Sequence, residues 1–340
     1  MEEKKNYPFL LSPIGKNYLW GGSKLMSEYN KNIDLDIIAE TWECSTNPDG
    51  YSSVASGSFK CQTLKNVLKQ NPEFLGTNNI NEKGEIPILI KLIDARQNLS
   101  IQVHPTDEYA FKNENGQNGK NEMWYILEAE DDAKLIKGFK GEVNRNLVKE
   151  AVENKEIEQY LNKVKVKSGD AFYIKAGTVH SIGAGIVIAE IQQNSNLTYR
   201  LYDYDRTDKN GKKRELHLQK ALDVIDYKNE NEDFKCGEAV KYSEGYISKK
   251  VCECENFKVY KENINSKNIA FNTNKESFQV FLCINGSGKL DFDGQFIDIK
   301  KGDCVFVPAD SVKITISGDF EFLRVSCWML AWLITYKIIL

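Results

Sequence analysis

Hydrophobic and polar residues alternate over many short stretches of the chain, and Gly, Asn and Asp residues separate these stretches. Successive side chains of an extended backbone lie on opposite faces, so each stretch predicts a β-strand with one buried face. Many short strands in series are typical of a β-sandwich or β-barrel. The predicted strands are Ile88–Ile93, Leu99–Val103, Trp124–Leu127, Lys163–Val166, Ala171–Ile174, Ile186–Gln192, Val280–Ile284, Gly288–Phe292 and Cys304–Val307.

Four stretches have the helical period instead: residues 63–75, 107–112, 146–161 and 216–225. They interrupt the strands as insertions and connections and do not alternate regularly with them. The pattern therefore predicts a mainly β protein, not a parallel sheet covered by helices.

An internal repeat refines this prediction. The segment from Ser168 (SGDAFYIKAGTVHSI) returns in altered form from Lys301 (KGDCVFVPADSVKIT), and in both a Gly-Asp turn precedes a strand that ends in a tight corner. This arrangement resembles the jelly-roll hairpin of cupins. We therefore expect two cupin-type jelly-roll barrels with a small helical insertion. The predicted domains are a catalytic cupin domain at 1–235, a second, metal-free cupin domain at 236–326, and an atypical apolar tail at 327–340.

The two copies differ in residues that can bind a metal. Aligning the strand EMWYIL from Glu122 with SFQVFL from Ser277 places Ser277 opposite Glu122, and Lys313 stands where the first copy has His180. The sequence therefore predicts chemistry in the first barrel and a supporting role for the second.

Composition excludes several classes of partner. The 340 residues include 45 Lys and Arg against 49 Asp and Glu, a net charge of −4, which lacks the basic excess of a nucleic-acid-binding chain. No Gly-rich phosphate loop or dinucleotide fingerprint occurs, so no nucleotide cofactor is expected. The small-molecule substrate would then be bound by a monomer or a homodimer.

The cysteines and the chain ends bear on location. Eight cysteines without regular spacing favour reduced, mostly buried thiols, and no apolar signal segment follows the charged N-terminus, so we expect a cytoplasmic protein. The tail at 327–340 predicts a packed terminal element or a foreign end. A membrane anchor is less favoured, because Lys337 interrupts the apolar run and no basic cluster supports it.

Only three histidines occur, which makes their contexts easy to weigh. Alternation places Ser100, Gln102 and His104 on one strand face, which taken alone indicates a solvated surface. Glu122 and His180, however, lie where a jelly roll directs side chains into its interior, so Gln102, His104, Glu122 and His180 could converge on one ion. Two imidazoles, a carboxylate and an amide suit Zn²⁺ and also tolerate Fe²⁺, Mn²⁺ or Co²⁺. His217 has no such partners and is expected to be structural.

The chain resembles the type I mannose-6-phosphate isomerases of the cupin superfamily, specifically their short bacterial branch. The resemblance covers almost the whole chain, to about Ser326. The motifs that carry it are Pro8-Phe9, Leu19-Trp20-Gly21-Gly22, Glu40-Thr41-Trp42-Glu43, Ser100–Pro105, Lys120–Tyr125, Ala176–His180 and Tyr199–Arg206. The resemblance implies one zinc ion per chain, bound by Gln102, His104, Glu122 and His180, and interconversion of mannose 6-phosphate and fructose 6-phosphate. It also implies that Arg200 is catalytic and that Lys91, Ser100, Lys120, Glu190 and Arg206 line the substrate cleft.

Aldose-ketose isomerisation moves a proton between C1 and C2 through a cis-enediolate, so it needs oxyanion stabilisation and a base. Arg200 suits the first role because a guanidinium keeps its charge. Glu190 is the preferred base, with Lys120 or a zinc-bound water as rivals. Burial would raise the pKa of Glu190 and nearby cations would lower it, and the sequence leaves the balance open. Lys91, Ser100 and Arg206 are assigned to the phosphate.

Two other functions are compatible with a cupin. One is a cupin dioxygenase, which the cationic residues disfavour. The other is a non-catalytic zinc-binding, carbohydrate-sensing cupin, which would not require Arg200, Glu190 and Lys120 beside the metal.

Overall fold

Antiparallel strands are the main secondary structure, as the alternating sequence predicts. The computed structural model describes residues 6–208, 210–228 and 237–327, with the side chains of 266 and 267 left aside. Within these residues the strands are β1 (Phe9–Ser12), β2 (Ile14–Lys16), β3 (Glu40–Cys44), β4 (Thr46–Asn47), β5 (Gly50–Tyr51), β6 (Ser53–Val54), β7 (Ile88–Ala95), β8 (Ile101–Val103), β9 (Glu122–Ala129), β10 (Lys134–Phe139), β11 (Leu161–Lys165), β12 (Ala171–Ile174), β13 (His180–Ser181), β14 (Ile186–Gln193), β15 (Tyr199–Tyr202), β16 (Ala239–Ser243), β17 (Tyr246–Glu253), β18 (Phe257–Phe271), β19 (Gln279–Phe292), β20 (Gln295–Lys300), β21 (Cys304–Val307) and β22 (Ile314–Cys327).

All four predicted helical regions contain a helix. The helices are α1 (Lys24–Ser27), α2 (Leu64–Gln70), α3 (Asp107–Asn113), α4 (Arg145–Glu153) and α5 (Leu218–Val224), with 3₁₀ turns at Gly57–Phe59, Pro72–Leu75 and Ile157–Tyr160.

Two of the predicted helices are shorter than expected. The helix predicted at 63–75 ends at Gln70, because Pro72 disfavours helical geometry at Asn71, whose φ and ψ are −134° and 66°. The helix predicted at 146–161 ends at Glu153, and Lys155 then takes a left-handed φ of 62° that stops the helix.

The first half of the protein contains two large sheets and a two-stranded one formed by β4 and β5. One has the order β12-β9-β14-β7-β3-β2 and the other β11-β10-β13-β8-β15. The outer face of the five-stranded sheet is covered by α4 and α5, where Val148 and Leu222 pack with Ile101, Val103 and Leu201. Since neighbouring side chains alternate, Gln102 and Arg200 lie on the opposite, inner face. Leu99 departs from the predicted alternation, because β8 begins only at Ile101.

The second half forms one large sheet with the order β16-β17-β18-β22-β19-β21-β1-β6, and β20 pairs with β19. The predicted strands Val280–Ile284 and Gly288–Phe292 are a single strand, β19, bent by a register shift between Cys283 and Asn285. The N-terminal strand β1 pairs with β21, so this sheet also contains residues from the start of the chain.

A buried lysine of the first half contacts the second half. Lys31 Nζ lies 2.7 Å from Glu43 Oε2 and also donates to the Gly302 carbonyl of the second half. The predicted domain boundary at 235/236 and residues 328–340 of the predicted tail lie outside the described residues. Among the described residues, no helix combines the length and apolar character needed to cross a bilayer.

The repeated hairpin is present in both halves with the same turn. Gly169 N donates to Ile126 O and Gly302 N donates to Cys283 O, each at 2.9 Å. Ile174 then lies opposite Glu122, and Val307 lies opposite Gln279. The residue equivalent to Glu122 is therefore Gln279, and the prediction of Ser277 is wrong by two positions. Because a shift of two keeps the same strand face, the second half still lacks a carboxylate there.

Candidate metal centre and substrate cleft

Three potential metal ligands meet between the two large sheets of the first half. Glu122 begins β9 of the six-stranded sheet, whereas His180 begins β13 and His104 follows β8 of the five-stranded sheet. Their ligand atoms all lie within 4.8 Å of one another, and the three side chains are at most 1% exposed. His104 Nε2 lies 3.4 Å from Glu122 Oε2, and His180 Nε2 lies 3.3 Å from Glu122 Oε1.

Backbone carbonyls orient both imidazoles. His104 Nδ1 lies 2.8 Å from Leu197 O, and His180 Nδ1 lies 2.8 Å from Thr178 O, so each Nδ1 carries the proton and donates. Each Nε2 of a neutral ring then directs a lone pair toward the Glu122 carboxylate. Lone pairs facing a carboxylate repel one another unless a cation lies between them. This arrangement fits a metal ion, because a carbonyl behind each histidine is the usual support of a metal ligand.

The protonation states of the three side chains also fit a metal site. Burial lowers the pKa of His104 to about 3, with Lys120 adding to the effect, and burial also lowers the pKa of His180. Burial opposes ionisation of Glu122, but the ammonium of Lys120 outweighs it and holds the pKa of Glu122 well below its ordinary value. His104 Nε2 and both Glu122 oxygens are buried without a hydrogen bond among the described residues. Neutral imidazoles and an ionised carboxylate are the forms that bind metals.

Gln102, the fourth predicted ligand, lies at the centre in a different orientation. Its Nε2 lies 3.3 Å from His180 Nε2, and its Oε1 accepts a hydrogen bond from Ser100 Oγ at 3.1 Å. A ligand role would require the amide to turn so that Oε1 points toward the ion. Gln102 as a ligand therefore stays a prediction.

A cleft lined by polar residues opens beside the three ligands. Nine of the ten predicted site residues are found at the centre or along this cleft. Those lining the cleft are Lys91, Ser100, Gln102, Lys120, Glu190 and Arg200.

Glu190 is held by two neighbouring strands. Trp124 Nε1 donates to its Oε2 at 2.9 Å, and Lys91 Nζ lies 3.2 Å from its Oε1. Burial raises the pKa of Glu190 and Glu122 adds to this, so these effects outweigh Lys91 and Lys120. The balance that the sequence left open therefore favours a carboxylate of raised pKa, which is a better proton acceptor than an ordinary one.

Arg200 lies next to the metal centre in strand order. It pairs across β15 and β8 with Gln102, which pairs across β8 and β13 with His180. Burial lowers the pKa of Arg200, and the nearby Arg214 adds to this. Its Nε is buried without a hydrogen bond among the described residues, so it is available to a ligand.

Arg206 is the predicted site residue that does not line the cleft. Its guanidinium donates to Asn98 O at 2.6 Å and to the carbonyl and carboxylate of Asp203. His217 lies beside Arg200: its backbone N–H donates to Arg200 O at 2.8 Å and its ring accepts from Arg200 N, so its structural role stays a prediction.

Several cleft residues were absent from the predicted site. Tyr18, Glu40 and Arg214 all line the cleft. Glu40 accepts from Trp42 Nε1 at 2.8 Å and lies 3.6 Å from Lys91 Nζ. Alternation along Glu40-Thr41-Trp42-Glu43 could have indicated that Glu40 and Trp42 share a face, and the scarcity of arginine, six in the chain, could have drawn attention to Arg214.

The fold and this site together define a mainly β cupin protein with a candidate metal centre. The sequence matches the family models for the catalytic domain of type I phosphomannose isomerase over residues 9–141 and for the cupin domain of mannose-6-phosphate isomerase over residues 247–327. It is 37% identical over 315 residues to mannose-6-phosphate isomerase ManA of Bacillus subtilis, covering 92% of this chain and 97% of that protein. It is 32% identical over 316 residues to mannose-6-phosphate isomerase of Streptococcus mutans, covering 93% and 96%.

Solved structures agree with the sequence comparison. The crystal structure of mannose 6-phosphate isomerase from Bacillus subtilis has a TM-score of 0.85 and 34% identity, covering 94% of this chain and 99% of that one. The chain therefore belongs to the type I mannose-6-phosphate isomerase family, as its motifs predict. A mannose 6-phosphate isomerase bound with zinc and yttrium, at 18% identity and a TM-score of 0.73 over 95% and 100% of the two chains, shares the fold.

Proposed function

We propose that the protein is a metal-dependent aldose-ketose isomerase that interconverts mannose 6-phosphate and fructose 6-phosphate. The observation that carries the proposal is the convergence of His104, Glu122 and His180 at the end of a cleft that also contains Glu190 and Arg200. Family membership supports the same reaction.

His104, Glu122 and His180 would hold one zinc ion per chain, with Gln102 joining them after its amide turns. The ion, when bound, would supply Lewis-acid polarisation of the oxygens at the reacting carbons. Lys120 Nζ lies 2.9 Å from Glu122 Oε2 and helps keep that carboxylate ionised.

The proton transfer is assigned to Glu190. For an aldose, its carboxylate takes the proton from C2, which gives a cis-enediolate, and returns it to C1, while the hydroxyl proton at O2 passes to O1. Trp124 and Lys91 fix the orientation of the carboxylate, which reduces the reorganisation needed at each transfer. Arg200, on the strand next to Gln102, stabilises the negative charge that develops on the substrate oxygens.

Cellular context forms a secondary part of the proposal. The seven described cysteines form no disulfide bond, and five of them are buried, which fits the reducing cytoplasm. Whether the protein is a monomer or a homodimer stays a prediction.

A direct assay tests the function. The purified protein is treated with a chelator, reloaded with zinc, and supplied with mannose 6-phosphate while fructose 6-phosphate is measured. We expect turnover that the chelator abolishes, that zinc restores, and that Arg200→Ala lowers strongly. Sugar-phosphate binding without turnover by the loaded protein would contradict the proposal and would favour the carbohydrate-sensing alternative.

A further inference from the structure

Neither cation first assigned to the substrate phosphate is well placed to bind it, because Lys91 lies between two carboxylates and Arg206 lies off the cleft. Lys91 is only 4% exposed, and its ammonium lies 3.2 Å from Glu190 and 3.6 Å from Glu40. Arg206 is bound to Asp203 and to Asn98 O and does not line the cleft. A dianionic phosphate therefore needs another cationic partner.

Arg214 is a cation that the cleft does present. Its Nε donates to Asp203 Oδ2 at 2.7 Å and its Nη2 donates to Asp203 Oδ1, which fixes the guanidinium in place. Nη1 makes no hydrogen bond among the described residues. Arg214 lines the same cleft as Arg200, so it has both a fixed position and donor capacity left over.

The charge around Arg214 also favours an anion. Arg206 and Arg214 share the single carboxylate of Asp203, and the positive charge of Arg214 lowers the pKa of the neighbouring Arg200. Glu215 is the other carboxylate acting on Arg200, and its side chain is 82% exposed, so solvent weakens its effect. A bound phosphate would relieve the repulsion between the two cleft arginines.

The strand order sets the distance between this charge and the metal centre. His180, Gln102 and Arg200 follow one another across β13, β8 and β15, and neighbouring strands are about 4.8 Å apart. The segment that contains Arg214 lies along the edge of β15 that faces away from β8, because the nearby His217 N donates to Arg200 O. A substrate with its reacting carbons at the metal and its phosphate at the other end fits this arrangement.

We propose that Arg214 binds the phosphate of the sugar phosphate and thereby determines specificity for phosphorylated sugars. This inference rests on the proposed function for the identity of the substrate. The contact is a charge-assisted hydrogen bond from the free edge of the guanidinium, and Asp203 acts as its positioning residue.

Steady-state kinetics and phosphate binding test the proposal with four variants of the full-length, zinc-loaded protein. Arg214→Gln should raise KM for mannose 6-phosphate about tenfold, which corresponds to about 1.4 kcal/mol, with kcat changed less than about threefold. Isothermal titration with inorganic phosphate should show binding weakened by a similar factor. Arg214→Lys keeps the charge but loses the planar set of guanidinium donors, so its KM and phosphate affinity should lie between those of the wild type and Arg214→Gln. It replaces Arg214→Gln if that variant does not fold.

Two variants separate phosphate binding from structural support. Lys213→Gln removes a neighbouring cation that pairs with Asp205 at 2.7 Å, and it should match the wild type. Arg206→Gln also removes a partner of Asp203. Its increase in KM should be at least about fivefold smaller than the increase caused by Arg214→Gln. An unchanged KM in Arg214→Gln, or an equal or larger effect of Arg206→Gln, would overturn the assignment.

The two readouts also distinguish this inference from the proposed function. If the wild type binds inorganic phosphate and Arg214→Gln does not, the anion site stands even where isomerisation is absent, and only the proposed function fails. If the wild type isomerises mannose 6-phosphate and Arg214→Gln changes neither KM nor phosphate binding, only the phosphate assignment fails.

Discussion

The two halves of the molecule use the same hairpin for opposite purposes. In the first half, a row of paired residues across β9, β14 and β7 contains Trp124, Glu190 and Lys91. The equivalent row across β19, β22 and β18 contains Phe281, Arg324 and Tyr260. A carboxylate beside a buried lysine has thus been exchanged for an arginine, which pairs with Glu262 at 2.7 Å.

The surroundings of the two rows differ in the same way. Phe281 packs among apolar side chains such as Val305, Val307 and Ile316, whereas Trp124 lies against His180 and donates to Glu190. The second interior gains stability from apolar burial, whereas the first keeps several buried polar atoms without hydrogen bonds. The comparison indicates that the fold tolerates either interior, and the polar one is the interior to which we assign the proposed chemistry.

Removing the ligands should have the largest effect. We expect His104→Ala, His180→Ala and Glu122→Ala each to lose stoichiometric zinc and to lower kcat/KM by at least about 10³-fold, since changes outside the ligand shell alone cost about 10–100-fold. Metal analysis and the isomerase assay measure both. Gln279→Ala, at the position equivalent to Glu122, serves as the control and should change neither. Full zinc occupancy in His104→Ala or His180→Ala would show that the ligand set is wrong.

Removing the proposed base should have the next largest effect. Glu190→Gln should lower kcat about 10²-fold, the lower range for general acid-base catalysis, while zinc content is preserved. Arg324→Gln is the equivalent change in the second half, and it should lower stability through Glu262 without a comparable loss of kcat. Similar kcat values for Glu190→Gln and the wild type would leave Lys120 or a zinc-bound water as the candidate base.

The pH profile tests the same residue. A base acts in its ionised form, so activity should fall as the pH drops through the pKa of Glu190. Because that pKa is raised, the acidic limb should lie above the value of about 4.3 of an ordinary glutamate. The limb should disappear in Glu190→Gln. An acidic limb that is the same in both proteins would assign it to another group.

A conservative change in the apolar interior should have a smaller effect, confined to stability. Phe281→Leu removes part of a ring that lies 4.9 Å from Phe322, and it should lower the free energy of unfolding by about 1–2 kcal/mol. Urea denaturation measures this loss, and kcat at a temperature where the variant is folded should stay within about twofold of the wild type. A loss of kcat in the folded variant would show that the second half does more than support the first.

Local patterns predicted most of the strands near the site but not the long strands of the second half. β7, β14 and β21 have clear apolar runs, so their predicted bounds are close to those observed. β18 (FKVYKENINSKNIAF) was missed, because its polar residues hide the alternation, and it is held by pairing with its neighbour β17 and with β22, which is distant in sequence. The positions of the candidate ligands His104, Glu122 and His180, which the structure brings together, could be predicted from the repeat and the motifs. The pairing of Arg206 with Asp203 could not be predicted, because it depends on a loop conformation. That conformation places Arg214, and not Arg206, in the cleft.

Shortening the C-terminus should have the smallest effect. A deletion of residues 327–340 would remove Cys327, which is buried, pairs with Phe257 in the ladder between β22 and β18, and accepts a hydrogen bond from Asn79 at 3.1 Å. A deletion that begins at 328 keeps all three contacts, so it is the cleaner test. Since the ligands, Glu190 and Arg200 all lie in the first half, this shorter chain should retain kcat and KM within about twofold, as measured by the isomerase assay. A truncated protein with native circular dichroism and full zinc content but no turnover would show that the apolar tail takes part in catalysis.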